Sequence, residues 1–362
     1  MNNRNITSAV SSDIYIPKSI VSSSDGYKTT KINNRRYLGN KYKLLDFIKG
    51  TIQENTTDIL TFADIFAGTG AVSSAFTDRT IITNDILYSN YICHLCWFSP
   101  KKYSERKIIK YIQRYNGLEC TEENYMTENF ADTYFSKSDC SKIGYIRQNI
   151  EDEYMLGKIN QKERAILLTS LLYAMDKIAN TCGHYDAYRK GIEFRQRLEL
   201  YVPIPTTCLS SDNKCYNMDA NELVKDIRAD MIYIDPPYNS RQYCDAYHLI
   251  ENVARWEKPS VKGVAKKMDR TALKSDYCTL KATEAFKDLV KNITARYILL
   301  SYNNMAEKGN DRSNAKISDK DILEILSSKG QVTVFSKDYK AFSAGKSNII
   351  NHEERLFLCQ CF

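Results

Sequence analysis

From Thr61 onward the chain alternates short apolar runs with stretches whose apolar residues recur at helical spacing. Thr61 to Phe66 is a short apolar run closed by Gly68 and Gly70, the mark of a tight turn after a strand. Ala71 to Phe76 is expected to open a helix. Thr80 to Thr83 reads as a second strand, followed by Asn84-Asp85 and an apolar helix through Trp97. Strand, turn, helix, strand is the signature of a doubly wound sheet, so an α/β fold is expected. Later in the chain, Ala229 to Ile234 is an apolar strand that stops at Asp235-Pro236-Pro237-Tyr238. Ala246 to Trp256 and Thr283 to Ile293 read as helices, and Arg296 to Tyr302 as a strand. Asp319 to Ser327 reads as a helix capped by Ser318. Gln331 to Phe335 and Arg355 to Cys359 read as late strands of a closing hairpin.

Between the two blocks the pattern changes. Lys101, Lys102, Arg106, Lys107, Lys110 and Arg114 form a basic stretch of helical character, and Ala165 to Ala179 reads as a buried helix. Pro203 and Pro205 close this segment. Residues 101–205 are therefore expected to form a largely helical insertion in an α/β domain made of 31–100 and 206–362. Residues 1–30, rich in Ser, Thr and Asn, read as an irregular N-terminal arm.

Composition excludes some classes and permits others. With 43% hydrophobic and 26% charged residues over 362 positions, the chain can bury a core without disulfide staples. No run approaches the ~18 consecutive apolar residues of a membrane span, and the polar start, Met1 to Ser12, does not read as a secretory leader. Together with 11 scattered cysteines this points to a reducing, cytoplasmic setting. A structural zinc site wants four ligands, usually from two close pairs. Cys93-x-x-Cys96 and Cys359-x-Cys361 lie far apart in the chain, so they read as buried hydrophobes and no metal is expected. The net charge of +7 fits a nucleic-acid partner without demanding one.

Three motifs carry the chemistry. In Asp64-Ile65-Phe66-Ala67-Gly68-Thr69-Gly70 the glycines let the backbone turn sharply and approach a ligand. Asp85, about twenty residues on, ends the next strand, where a carboxylate takes both ribose hydroxyls of a nucleoside or caps the following helix. Asp235-Pro236-Pro237-Tyr238 stands at a strand end, where ligands of open α/β sheets bind. Two prolines stiffen the loop, hold the Pro236 carbonyl open and fix the Asp235 carboxylate beside it. The pair makes two acceptors for an amino group, and Tyr238 offers a face for stacking a base. Arg36-Tyr37-Leu38-Gly39-Asn40-Lys41 precedes the first strand; Lys41 suits a carboxylate and Tyr37 a packed ligand.

In this order the motifs resemble the DNA adenine-N6 methyltransferases, in the branch that includes Dam and many restriction–modification enzymes. Asn239-Ser240-Arg241-Gln242-Tyr243 and Tyr247-His248 resemble a sub-branch of type II modification enzymes, some of which modify CATG. The resemblance implies a Rossmann-like methyltransferase sheet with helices on both faces, and makes 101–205 the target-recognition insertion. It implies S-adenosylmethionine as cofactor, lined by Phe66, Gly68 and Gly70 with Asp64 at the strand end. Tyr37 and Lys41 would hold the methionine part, Asp85 the ribose and Asp219 the adenine. Asp219 is also read as a plain loop cap. Asp235 and the Pro236 carbonyl, on the stiff Pro236-Pro237 turn, would accept from the amino group of a flipped adenine, with Tyr238 stacked on it.

The partner implied is double-stranded DNA, bound by an enzyme acting alone as a monomer without metal. Candidates for the phosphate track are Lys101, Lys102, Arg106 and Lys107 in the insertion, Arg241 after the catalytic loop, and Lys262, Lys266, Lys267 and Arg270 in a basic loop. Arg241 is equally placed for a structural pair with Asp245. Two other readings stand beside this one: an RNA adenine methyltransferase, and a non-catalytic DNA-binding protein on a methyltransferase fold.

Overall fold

The computed structural model describes residues 27–207, 210–303, 315–338 and 353–362; most of the expected N-terminal arm lies outside the described residues. The strands are β1 (Thr29–Thr30), β2 (Thr61–Asp64), β3 (Thr80–Asn84), β4 (Val202–Pro203), β5 (Lys214–Tyr216), β6 (Ala229–Ile234), β7 (Ala295–Asn303), β8 (Gly330–Asp338) and β9 (Glu353–Cys361). The first helices are α1 (Leu45–Asn55), α2 (Tyr88–Phe98), α3 (Glu105–Asn116), α4 (Tyr125–Phe130), α5 (Lys137–Met155) and α6 (Gln161–Ile178). They are followed by α7 (Ala220–Asp226), α8 (Tyr243–Ala246), α9 (His248–Arg255), α10 (Ala282–Asn292) and α11 (Asp319–Ser327).

The main sheet has seven strands in the order β5-β3-β2-β6-β7-β9-β8. Strands β5, β3, β2, β6 and β7 run parallel, and β9 is antiparallel to both β7 and β8. The chain leaves β2 toward one edge and returns through β6 toward the other. The order therefore reverses between β2 and β6, and the crevice at their carboxyl ends is where such sheets bind ligands.

Both faces of the sheet are covered, which is why its strands read as near-continuous apolar runs. The period of two is visible in how the faces divide. Phe62, Met231, Tyr233, Tyr297, Leu299, Leu356 and Leu358 join one core with α1, α2, α5, α6 and α9. Ala63, Ile232, Ile234, Ile298, Leu300 and Phe357 join a second core with α7, α10 and α11. This is the doubly covered α/β sheet that the sequence pattern implies.

Residues 105–178 carry four of the helices, and α6 is buried nearly all round. Its start is fixed by a reciprocal cap, in which Asn160 accepts from the Glu163 backbone and Glu163 from that of Asn160. Buried Lys162 donates to the carbonyls of Leu95 (3.0 Å), Cys96 (2.7 Å) and Ser99 (2.8 Å), satisfying the carboxyl end of α2.

Two local expectations change. Ala71 to Phe76 makes only one 3-10 turn, Ser73–Ala75, after which a turn closed by the Arg79 amide on the Phe76 carbonyl leads into β3. Thr29–Thr30, placed in the irregular arm by sequence, pairs parallel with Val202–Pro203. A two-residue pairing so distant in sequence leaves no local period to read. Cys93, Cys96 and Cys359 are buried and unbridged, and Cys361 is half-buried. Among the described residues no helix is long and apolar enough to cross a membrane.

Candidate functional site

A cavity opens at the carboxyl ends of β2, β3 and β6, where ligands of such sheets bind. Tyr37, Lys41, Asp64, Phe66, Gly68, Asp85, Asp219, Asp235 and Pro237 all line it. Residues spread over most of the chain thus meet at the switch point.

The glycine turn is held from below. The Gly68 amide donates to Asp85 Oδ2 (2.9 Å), and the Leu87 amide to Asp85 Oδ1 (2.8 Å). Each carboxylate oxygen can accept a second bond, so Asp85 can grip the turn and a ligand together. Gly68 has φ +53, and a Cβ there would stand 3.1 Å from the Tyr37 ring. Gly70 does not line the cavity, contrary to expectation. Its φ is +80 and a Cβ would lie 2.7 Å from the Phe98 ring, so it serves close packing on α2.

His94 was not singled out by sequence. It is fully buried on α2, and its Nε2 meets the Gly68 carbonyl at 2.9 Å. Since a carbonyl only accepts, Nε2 carries the proton. Burial pulls the imidazole down to about 4, so it is neutral at pH 7.

Asp64 accepts from the Ser73 hydroxyl at 2.9 Å through Oδ2, while its buried Oδ1 has no protein partner. Burial is the main cause that raises both Asp64 and Asp85 to about 7. Asp235 is raised to about 6, again by burial, with the Lys41 charge pulling the other way. Lys41 Nζ lies 2.9 Å from Asp235 Oδ1. The residues alone suited this lysine to a carboxylate and the resemblance implied the methionine part of a cofactor; in the structure it lines the cavity and stands on the carboxylate of the Asp-Pro-Pro-Tyr loop. Tyr238 stands beside the cavity wall, 5.9 Å from Lys41 Nζ and edge-on to Tyr302 at 6.2 Å. Pro236 is buried beneath the loop.

Tyr37 is the first layer of an aromatic stack, 4.6 Å from Tyr247 and 5.4 Å from Tyr243 between ring centres. The Tyr247 hydroxyl accepts from the Leu38 amide at 2.7 Å, and the Tyr243 hydroxyl donates to the Leu38 carbonyl at 3.2 Å. Beneath the stack, buried Arg35 pairs with Asp176 of α6 (3.1 Å) and donates to Asn90 of α2 (2.8 Å). Phe66 meets Tyr277 edge-on at 5.1 Å across the far wall. Asp219 accepts from the Asn221 amide at 2.8 Å and caps α7, while still lining the cavity. Tyr243 and Tyr247 stand in the segments after Asp-Pro-Pro-Tyr that carried the resemblance, though without an assigned role, while Tyr277, Arg35 and Asp176 carry no motif in sequence. They were legible only as aromatic residues after the catalytic loop and as charges within apolar stretches.

The basic candidates divide. Helix α2 starts beside the cavity and runs against the strands for about 16 Å. At its end the Phe98 carbonyl accepts from Asn213, which itself accepts from the Ile81 amide near the start of β3. Lys101, Lys102, Arg106 and Lys107 follow this end of α2, which is level with the amino end of β3, whereas the cavity lies at the carboxyl ends of the strands. Lys101 donates to Gln161 (2.7 Å), and Lys107 pairs with Glu163 (3.0 Å).

The other basic loop is closer. Lys262 and Lys267 face each other across a small hairpin bridge. Lys267 pairs with Asp186 (2.7 Å), and Arg270 pairs with Asp245 at 2.6 Å. So Arg270 and, at 3.7 Å, Lys267 pair with Asp245, rather than Arg241. Arg241 and Lys262 are exposed and Lys266 is half-exposed. The Tyr185 amide donates to the Ala246 carbonyl at 2.7 Å, which sets the loop after α6 beside α8. Exposed Arg189 and Lys190 follow on that loop and were missed in the sequence.

A doubly covered parallel sheet, a glycine turn on a buried aspartate, and a carboxylate before two prolines at the neighbouring strand end together define a nucleotide-type site in an α/β transferase. Residues 37–314 match the family of D12 class N6 adenine-specific DNA methyltransferases, and the chain belongs to that family. It is 38% identical over 310 residues to the modification methylase StsI of Streptococcus sanguinis, covering 80% of this chain and 46% of that one. It is 31% identical to the modification methylase LlaI of Lactococcus lactis, covering 89% and 53%. It is 30% identical to the type II methyltransferase M.NlaIII of Neisseria lactamica, covering 88% and 95%. The chain thus spans about half the length of the StsI and LlaI enzymes and nearly the whole of M.NlaIII.

Proposed function

We propose that the protein is a site-specific DNA adenine-N6 methyltransferase, using S-adenosylmethionine, that serves as the protective enzyme of a restriction–modification system. The observation that carries this reading is one cavity holding Asp64, Asp85 and Asp235 at neighbouring strand ends. The orphaned Asp64 Oδ1 fits the cofactor's ammonium group, and the remaining lone pairs of Asp85 fit two ribose hydroxyls. Asp219 and Phe66 border the space for the adenine ring. Bound there, the cofactor would supply an electrophilic methyl group on a sulfonium, whose carbon the amino lone pair would attack as the carbon–sulfur bond pair stays on sulfur.

The protein's part is acceptance and aim. The Asp235 carboxylate and the Pro236 carbonyl take the two N–H donors of the target amino group, which turns its lone pair out of the ring. The proton that the methylated nitrogen sheds goes to the Asp235 carboxylate. Tyr238 stacks on the flipped base, and holding the reacting atoms in line supplies much of the acceleration. Residues 101–205 are proposed as the target-recognition insertion. Arg241, Lys262 and Lys266, with Arg189 and Lys190, are proposed for the phosphates beside the mouth. The cytoplasm is the expected setting.

The test is methyl transfer from radiolabelled S-adenosylmethionine to unmodified duplex DNA, with RNA alongside. Label on adenine in DNA is expected, and sequencing the modified sites reads the target, for which CATG is the expectation. Label on RNA alone would replace this reading with the RNA enzyme; cofactor binding without transfer would leave a non-catalytic DNA binder.

Cofactor binding has its own signature. Asp64 and Asp85 are raised to about 7, so both are largely protonated at pH 6 and ionised at pH 8. Cofactor affinity should rise about tenfold or more across that interval and level off above it. Asp85→Ala should weaken it by roughly ten- to a hundredfold, the worth of charge-assisted hydrogen bonds of about 1.5–3 kcal/mol. Calorimetric titration that finds the affinity unchanged would remove Asp85 from the ribose.

A further inference from the structure

Lys41 is 6% exposed, and its ammonium sits on the carboxylate that receives the target base. The local backbone is built to keep it there. Gly39 turns the chain at φ +71, and a Cβ there would stand 2.7 Å from the Tyr243 hydroxyl. The Asn40 side chain accepts from the Tyr42 amide and caps the 3-10 turn that Lys41 opens. On the other side Tyr243 and Tyr247 clamp Leu38 by its carbonyl and its amide. A loop from early in the chain is thus pinned by helices that follow the catalytic loop, and the pinned residue is a buried cation. Burying an ion pair costs several kcal/mol per ion before the pair recovers it, so its retention calls for a use.

The surroundings supply one. Among the described residues, the groups facing Asp235 are Lys41 on the loop, Asp64 on β2, Tyr233 on β6, Tyr238 and Tyr243 after it, and Glu354 on β9. Among these the lysine is the cation; the others are acidic or neutral. A protonated Asp235 would offer an O–H donor to an amino group that also donates, and the acceptor pair would be lost.

We infer that Lys41 is a positioning residue for methyl transfer and not a cofactor ligand: it keeps Asp235 ionised in the dry cavity and holds Oδ1, so that Oδ2 is the oxygen turned to the adenine. This role rests on the adenine-N6 reading, and a merely packed residue would not fill it. Asp235 is pushed up to about 6 even with Lys41 beside it. Without that charge, burial and the Glu354 carboxylate act unopposed, and the carboxyl stays protonated through neutral pH.

The experiment compares wild type with Lys41→Met and Lys41→Arg. Three quantities are read: cofactor affinity, kcat/KM on duplex DNA at saturating cofactor from pH 5.5 to 9, and Asp235 titration by carboxyl 13C NMR, assigned with Asp235→Asn. Wild type is expected to lose activity below about pH 6. In Lys41→Met the acidic limb should move up by at least one pH unit. The defect would then be about tenfold or more at pH 6 and shrink as pH rises. Cofactor affinity should change less than about threefold, and Lys41→Arg should return the limb toward the wild-type position. An equal loss at every pH, with the Asp235 titration unmoved, would make Lys41 structural only. Lost cofactor affinity with kcat intact would make it the cofactor ligand that the sequence suggested. If wild type labels no adenine, the adenine reading fails by itself. The NMR titration still decides whether Lys41 sets the charge on Asp235.

Discussion

Asp235→Ala should lower kcat for methyl transfer about a thousandfold or more, at least ~4 kcal/mol of barrier, while cofactor affinity changes little. Two effects add. In the proposed mechanism the carboxylate accepts a hydrogen bond from one amino N–H, so its loss leaves the nitrogen planar, with its lone pair in the ring. It also fixes the attacking atom in line, and orientation is one of the strongest sources of acceleration open to such a displacement. The alanine variant leaves Lys41 as an uncompensated buried cation, so it should be accompanied by Asp235→Asn, which keeps the volume and an acceptor oxygen. The asparagine enzyme should melt closer to wild type than the alanine enzyme and still lose at least about a hundredfold in kcat. Single-turnover transfer with equilibrium cofactor binding checks both. Activity near wild type in either variant would remove Asp235 from the mechanism.

The second large effect is on stability. Arg35→Leu should destabilise the protein by about 3–5 kcal/mol, the usual consequence of stripping the partner from a buried charge. Arg35 is 3% exposed and Asp176 8% exposed, and their 3.1 Å contact joins the loop before Tyr37 to helix α6. Tyr185 donates to the other oxygen of Asp176 at 2.7 Å, which satisfies one acceptor but brings no charge. Arg35→Leu combined with Asp176→Leu should recover a substantial part of the loss, because the isolated carboxylate is gone. Urea unfolding of the single and double variants gives the coupling directly. Single losses that simply add would show that the pair contributes nothing beyond its packing.

How far the sequence reaches can be seen from individual residues. Ala229 to Ile234 and Asp319 to Ser327 fall where the pattern puts them, because a doubly buried strand reads as a short unbroken apolar run and a capped amphipathic helix carries a local period. The closing hairpin is found too, though β8 and β9 run longer than their apolar cores. The cavity residues Asp64, Gly68, Asp85 and Asp235 were nameable because motif and strand end coincide. What Lys41 touches was not, since nothing near it in the chain says that Asp235 lies above it. The basic run at 101–107 was a fair candidate for DNA by composition. That it follows the end of α2 nearest the amino end of β3 depends on the direction of α2, which no charge pattern encodes.

The clamp on Leu38 also bears on the order in which this protein is made and assembled. Its two tyrosine contacts bridge sequence separations of 209 and 205 residues, whereas α5 and α6 lie next to each other in the chain. Helices and their near neighbours form in microseconds, while ends so far apart meet only after much chain entropy has been lost. The scaffold of the insertion can therefore be in place while the loop that carries Lys41 is still open. Until the strand bearing Asp235 and the helices behind it have docked, Lys41 and Asp235 stay apart even where the insertion helices are already formed.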